Sequence, residues 1–199
     1  MLESFEIAGP NGNHRCLLYQ PLGMNWTEFL RLLPENRFQK DLVQFSLQLL
    51  LIAVDYLHRC EVVHTDISPN NILQGIEDES ILPQIEHGEL EQPIARKTLR
   101  DRTIYLSRPM PFSTGQPVLC DLGEARIGHQ KHTGDIMPGI YRAPEVILGM
   151  GWDWKVDIWG IGVMVSANLH QERRANSAQS RHGTFLKAAT SSLPRRTEC

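Results

Sequence analysis

No stretch of about eighteen consecutive apolar residues occurs in the sequence, so no transmembrane helix and no membrane contact are expected. The amino terminus, Met1-Leu2-Glu3-Ser4-Phe5-Glu6, has neither the basic start nor the apolar stretch of a secretory signal. Cysteine is sparse. Cys16, Cys60, Cys120 and Cys199 stand far apart with no C-x-x-C pair, which argues for reduced thiols and against a disulfide framework. An excess of basic residues is also missing: 20 Lys and Arg face 23 Asp and Glu, so direct nucleic-acid contact is not expected. These absences together predict a soluble intracellular protein, cytoplasmic or nuclear. At 199 residues the chain is long enough for one domain with a sizeable core, or for most of a larger one.

What is present begins with two apolar runs, Phe5-Glu6-Ile7 and Cys16-Leu17-Leu18-Tyr19. They flank Gly9-Pro10-Asn11-Gly12-Asn13, a pattern that predicts a hairpin. Asn25-Trp26-Thr27-Glu28 has an N-cap residue with Glu three positions later, a capping-box pattern, and Pro34 stops the helix that follows. Leu42, Phe45, Leu49, Ile52 and Tyr56 then step by three, four, three and four along one stripe. Leu47, Leu50, Leu51 and Val54 widen that stripe, so the spacing predicts a long helix buried on most sides, with Leu49 and Ile52 in the core.

Between Leu73 and Val118 the composition turns polar. Glu77-Asp78-Glu79, Glu86, Glu89 and Glu91 lead, and Arg96-Lys97, Arg100, Arg102 and Arg108 follow, with prolines between. An uninterrupted loop of this length is unusual and suggests a functional or mobile insertion. A solvated loop and a segment folded back on its own opposite charges both fit, with Ile104-Tyr105-Leu106 as a short ordered element. Residues 166–199 are rich in Ser, Ala, Arg and Thr, with little apolar periodicity, and read as a disordered tail.

Four short motifs carry chemistry. His64-Thr65-Asp66-Ile67-Ser68-Pro69-Asn70-Asn71 is a loop between apolar stubs, with one Asp and, five residues on, one Asn. Asp66 can accept a hydroxyl proton, and Asn71 can turn its side-chain oxygen toward a metal ion on the same side. The brief apolar strand Val118-Leu119-Cys120 delivers Asp121-Leu122-Gly123. Ala143-Pro144-Glu145 comes next, and then Asp157-Ile158-Trp159-Gly160-Ile161-Gly162. A carboxylate in so apolar a run is costly without partners, so Asp157 is expected to be hydrogen-bonded.

In this order the four motifs resemble those of protein kinases. His64-Thr65-Asp66-Ile67, the long insert after Asn71, Ile104-Tyr105-Leu106-Ser107-Arg108, and the run from Gly139 to Gly149 resemble the SR-protein kinases, especially their fungal members. The resemblance implies an α+β, protein-kinase-like fold, mainly the helical C-terminal lobe with a remnant of the N-terminal sheet. It divides the partial kinase domain, 1–165, into last small-lobe strands and hinge (5–23), helices and catalytic loop (24–73), family insert (74–117), metal-binding and activation segment (118–145) and the start of the following helix (146–165).

The resemblance also implies ATP-dependent phosphoryl transfer to Ser or Thr in protein substrates, Arg/Ser-rich splicing factors among them, with ATP and Mg2+ as cofactors. Asp66 would be the base, and Asn71 and Asp121 would hold magnesium. Tyr19, Gln20, Leu22 and Leu73 would line the nucleotide, the backbone of Gln20 and Leu22 meeting adenine and Tyr19 standing behind it as gatekeeper. Asp157 would hydrogen-bond the backbone of the catalytic loop.

Several positions depart from the family pattern. The sequence shows no Gly-rich loop, no V-A-I-K-type Lys and no partner Glu, so the resemblance is to a partial domain lacking most of the N-terminal lobe and the end of the C-terminal lobe. Ser68 stands where a Lys is usual, Thr65 where an Arg is usual, and Leu122 where a Phe is commoner. The isolated chain is therefore expected to transfer phosphate at or near background. The alternatives are a catalytically impaired kinase-like binding module and a truncated product of no settled function.

Overall fold

A computed structural model describes residues 1–36 and 38–166 of the chain. Strands β1 (Glu3–Gly9) and β2 (Gly12–Leu18) pair antiparallel from Glu3↔Leu18 to Gly9↔Gly12, the hairpin that the apolar runs predict. Its turn works because Gly12 sits at φ 119°, a conformation that side chains rarely adopt. Helix α1 (Trp26–Leu32) starts at the expected capping box. The Glu28 backbone N–H donates to the Asn25 side chain at 2.9 Å, and the Asn25 N–H donates to the Glu28 carboxylate at 3.3 Å. That cap aims Trp26 and Phe29 inward, where both pack against Phe38 at ring separations of 5.1 and 5.3 Å.

Helix α2 (Lys40–Arg59) exists where the spacing places it, but its inward face is a different one. Leu50 is 2 % exposed, whereas Phe45, Ile52 and Tyr56 are 50, 66 and 68 % exposed. The face lined by Ser46, Leu50 and Val54 packs inward, and Leu49 is only half-buried. The expectation of a helix buried on most sides, with Ile52 in the core, is thus corrected. The cause is degeneracy: a helix apolar nearly all round offers stripes of several phases, and periodicity alone cannot choose among them. The choice falls to the partners. Met24, Trp26 and Phe29 converge with Ile67, Ile72 and Ile161 on the Leu50–Val54 face. Leu50→Ala is therefore expected to cost about 2–5 kcal/mol in urea denaturation, and Ile52→Ala less than about half a kcal/mol. The reverse order of the two would place the other face inward.

Beyond α2, β3 (Val62–Val63) leads into the loop 64–71, and β4 (Ile72–Gln74) leads out of it. The insert is a folded unit. It comprises α3 (Ile81–Glu91) and a hairpin of β5 (Arg96–Thr98) with β6 (Thr103–Tyr105), so the Ile104–Leu106 run does contribute an ordered strand. Arg108 staples it: its guanidinium donates to the Glu89 carboxylate at 3.0 Å and to the carbonyls of Gly88 and Gln92 at 2.9 and 2.6 Å. Glu89 is held below the usual carboxylate range, first by the Ile94 N–H and then by Arg108. The insert leaves and rejoins the body at one neck, where the Gly75 N–H donates to the Gln116 carbonyl at 2.8 Å. A Cβ on Gly115 would collide there with the backbone of Gly75.

Strand β7 (Pro117–Leu119) pairs antiparallel with β4, and β8 (Arg126–Ile127) with β3. Helix α4 (Pro144–Ile147) and helix α5 (155–166) close a second apolar cluster around Trp152, Ala143 and Val156. Tyr141 packs against both clusters and joins them. The architecture is α+β, dominated by helices, with its strands in two-stranded pieces. Among the described residues no helix is long and apolar enough to cross a membrane. The expectation of a disordered tail falls, past Ser166, outside the described residues.

Candidate functional site

The loop 64–71 is fixed from behind by one carboxylate. Asp157, wholly buried on α5, accepts the Thr65 N–H on Oδ1 at 2.8 Å and the His64 N–H on Oδ2 at 2.9 Å. His58 Nε2, from the end of α2, meets the same Oδ2 at 2.8 Å. These bonds provide the partners that the apolar surroundings of Asp157 demand. They also hold Thr65 at φ 69°, a left-handed conformation that costs a β-branched residue on the order of 1–3 kcal/mol. The Thr65 hydroxyl donates to the Glu124 carbonyl at 2.8 Å, tying the loop to the segment after Asp121.

His64 forms the second tie. The Asp66 N–H donates to His64 Nδ1 at 3.3 Å, which makes Nδ1 an acceptor, so Nε2 carries the proton that meets the Cys120 carbonyl at 3.0 Å. The Cys120 N–H in turn donates to the Asn71 carbonyl at 2.8 Å, extending the β4–β7 ladder by one rung. Sequence positions 66, 71 and 121 are brought together by that ladder and by His64. The grouping is the one the motif resemblance implies, reached here across the whole insert.

Within the loop, the Asn71 amide nitrogen donates to both the Asp66 carbonyl, at 2.8 Å, and Asp66 Oδ2, at 2.7 Å. Asp66 Oδ1 is left buried with no partner among the described residues. An orphaned carboxylate oxygen of this kind is costly unless something arrives to use it. Asn71 has spent its N–H groups on Asp66, so its side-chain oxygen is the atom left to act as a ligand. Asp121 sits at φ 67°, exposed, with Oδ1 accepting the Gly123 N–H at 3.1 Å.

No three His, Cys, Asp or Glu side chains converge on a metal position among the described residues. One amide oxygen and one carboxylate are nevertheless a donor set that fits Mg2+, which commonly takes one or two protein oxygens and fills its shell with water and phosphate. Beside them, burial pushes the Cys120 thiol up, and the negative charge of Asp121 adds to the rise.

An open cavity of about 290 Å³ adjoins Asp66 and is walled by Glu124, Asp135, Met137 and Arg142. Arg142 pairs with Asp135 at 3.3 Å and donates to the Met137 carbonyl. Sequence reasoning passed over Glu124, Asp135 and Arg142, and the signal was thin: isolated charges in a polar segment. Of the residues expected to line a nucleotide, Leu73 lies beside the segment that follows Leu22. An Asn25↔Leu73 bridge holds it there, and the Gly23 N–H donates to the Gln74 carbonyl at 2.7 Å. Tyr19, at 58 % exposure, and Gln20 stand in solvent and are not gathered to the loop, because no other described element packs substantially on the β1–β2 hairpin.

Comparison with known proteins identifies the family. The family described as "Protein kinase domain" matches residues 11–193. A serine/threonine protein kinase of Aspergillus fumigatus is 43 % identical over 171 residues, covering 83 % of this chain and 40 % of that protein. The serine/threonine-protein kinase SRPK of Physarum polycephalum is 31 % identical over 191 residues, covering 83 % of this chain and 43 % of its own length. The serine/threonine-protein kinase AFC1 of Arabidopsis thaliana is 33 % identical over 153 residues, covering 77 % and 31 %. The chain thus spans less than half the length of each of these relatives.

Proposed function

We propose, from the premise that this chain belongs to the protein kinase family, that it carries the phosphate-transfer loop of a serine/threonine kinase acting on Arg/Ser-rich proteins. The observation that carries this reading is the pairing of Asp66 with Asn71, which leaves a buried, unpartnered Asp66 Oδ1 to receive a proton. In this reading Asp66 takes the proton of a substrate serine hydroxyl. Asn71 and Asp121 hold Mg2+, which when bound offsets charge on the transferring phosphate. The backbone of Leu22 meets adenine and Leu73 borders the nucleotide, whereas the gatekeeper place for Tyr19 and the adenine contact of Gln20 require the exposed end of β2 to close over the loop.

Two observations support arginine-rich substrates. Glu124 and Asp135 add carboxylates to the cavity beside Asp66, with Arg142 offsetting part of their charge. One relative also bears the name SRPK. A cytoplasmic or nuclear setting fits the three described cysteines, all of them free. Ser68, buried where kinases commonly place a lysine, favours the second reading, a kinase-like binding module of low activity.

Cys120 reports on nucleotide binding. Its raised thiol keeps alkylation slow at neutral pH. Mg-ATP at Asp121 is expected to change the alkylation rate of Cys120 and leave exposed Cys60 unchanged, as followed by mass spectrometry. In Asp121→Ala the response to Mg-ATP is expected to disappear. An identical response at both thiols, or one that persists in Asp121→Ala, would remove the nucleotide site from this loop.

A further inference from the structure

The hairpin β5–β6 and its turn have no role in the site described above. Arg96, Lys97, Arg100 and Arg102 fall within seven residues, all exposed, with only Asp101 of opposite sign among them. None of the four belongs to an ion pair among the described residues. The one other arginine of the insert behaves differently, Arg108 being consumed by Glu89 and two carbonyls. The hairpin is also pre-shaped. Its turn is closed by the Leu99 N–H donating to the Arg102 carbonyl at 2.8 Å, and its open end by the Leu106 N–H donating to the Ala95 carbonyl at 3.1 Å. The Arg96 guanidinium lies 5.9 Å above the Tyr105 ring, which orients it while leaving its N–H edges free.

Among the described residues the two strands form a sheet by themselves, so both edges present unpaired backbone groups. Ile104, Tyr105 and Leu106 are exposed along one of those edges.

We propose that this hairpin docks an acidic, extended peptide, with phosphoserine as its best anionic group. Charge complementarity selects an anion, and guanidinium groups bind phosphate bidentately. An open strand edge selects a peptide, because a peptide can add a strand and gain main-chain hydrogen bonds that a nucleic acid lacks. The footprint agrees. A three-residue strand spans about 10 Å, and exposed Glu86 and Glu91 on α3 bring negative charge to the same insert, which disfavours a long polyanion.

The docking surface shares no residue with the loop that holds Asp66, so it stands or falls apart from the catalytic reading.

The test is fluorescence anisotropy of the 199-residue chain with three labelled probes: a short Ser-rich peptide bearing several phosphoserines, its unphosphorylated form, and a single-stranded RNA of equal charge. The phosphopeptide is expected to bind most tightly. The double variant Arg100→Glu/Arg102→Glu should weaken it at least about tenfold while keeping the wild-type circular dichroism spectrum, and Arg100→Lys/Arg102→Lys should weaken it by a smaller factor, since lysine keeps the charge and loses the bidentate fork. Asp66→Ala should bind as the wild type does, which separates docking from catalysis. Equal binding of the charge-reversed and unaltered chains would overturn the proposal. RNA bound as tightly as the phosphopeptide, or no binding of any probe, would overturn it equally.

Discussion

Asp66→Ala is expected to lower the residual kcat of this chain for phosphoryl transfer to an Arg/Ser-rich peptide by about 10²–10⁴, the usual worth of a positioned base. KM for ATP is expected to change little, since Asp66 has no part in holding the nucleotide. The reasoning starts from the two oxygens of the carboxylate. Oδ2 is occupied by the Asn71 amide, whereas Oδ1 is buried without a partner and is the atom left to receive a hydroxyl proton. Truncation to Ala removes both oxygens. Asn71 keeps one anchor, the Asp66 backbone carbonyl at 2.8 Å, so the loop retains its shape and the loss falls on chemistry.

Asp66→Asn sharpens the reading. Its amide oxygen can still accept from Asn71, but it cannot take up a proton near neutral pH. Matching losses in the Ala and Asn variants would identify proton acceptance as the lost function. A large loss in Ala alone would make Asp66 a positioning residue. Retention of more than a tenth of wild-type kcat in both variants would exclude Asp66 as the base.

Asp157→Ala is expected to cost about 3–5 kcal/mol, the range seen when one partner of a buried charged cluster is removed. Three donors converge on this carboxylate, the backbone N–H groups of His64 and Thr65 and His58 Nε2. Nothing nearby can replace the oxygens, because Asp157 is wholly buried at the foot of α5. Total stabilities of about 5–15 kcal/mol are typical of domains, so this single change could consume a large share of the whole. Thr65 would also lose one of the bonds that keep it left-handed, and the loop would relax toward a more ordinary backbone. The check is the urea midpoint of Asp157→Ala beside that of His58→Ala, which removes only one of the three donors and should cost much less. A loss under about 1 kcal/mol for Asp157→Ala would mean that water reaches the loop and satisfies it.

The sequence made some of this legible and not the rest, for reasons that differ by residue. The Asn25–Glu28 cap and the hairpin around Pro10-Asn11 were readable because both are local: the bonds that make them lie within a few residues. Asp157 was readable for another reason, the conflict between a charge and its apolar neighbours, which only buried partners resolve. The inward face of α2 was not readable. Ile52 and Leu50 are equally apolar, and the residues that choose between them, such as Trp26 and Ile161, are distant in the chain. Nor could composition decide between a solvated and a folded insert. The decisive feature is Arg108 reaching back to Glu89, one pair among many possible pairings of acids and bases. Cys120 and Asn71 lie on opposite sides of the insert; the resemblance of their motifs implies that they meet, while the β4–β7 register that holds them together is visible only in the structure.

The neck at Gly75 and Gln116 gives the insert the standing of an exchangeable cartridge. Its two ends meet at hydrogen-bond distance, so the body feels only a closed junction, whatever length of chain lies beyond it. Doubling such a loop costs only about 0.6 kcal/mol in closure entropy. Lineages can therefore lengthen, shorten or re-charge this segment without shifting the ladder that sets Asn71 beside Cys120. The boundary of the cartridge is not quite the neck, however, because Phe112 leans on Phe29 and Met110 on the main core. The exposed residues before Pro109, the Arg108–Glu89 staple and buried Ile81 excepted, can change in step with whatever they contact, while the return limb is bound to the body and must change with it.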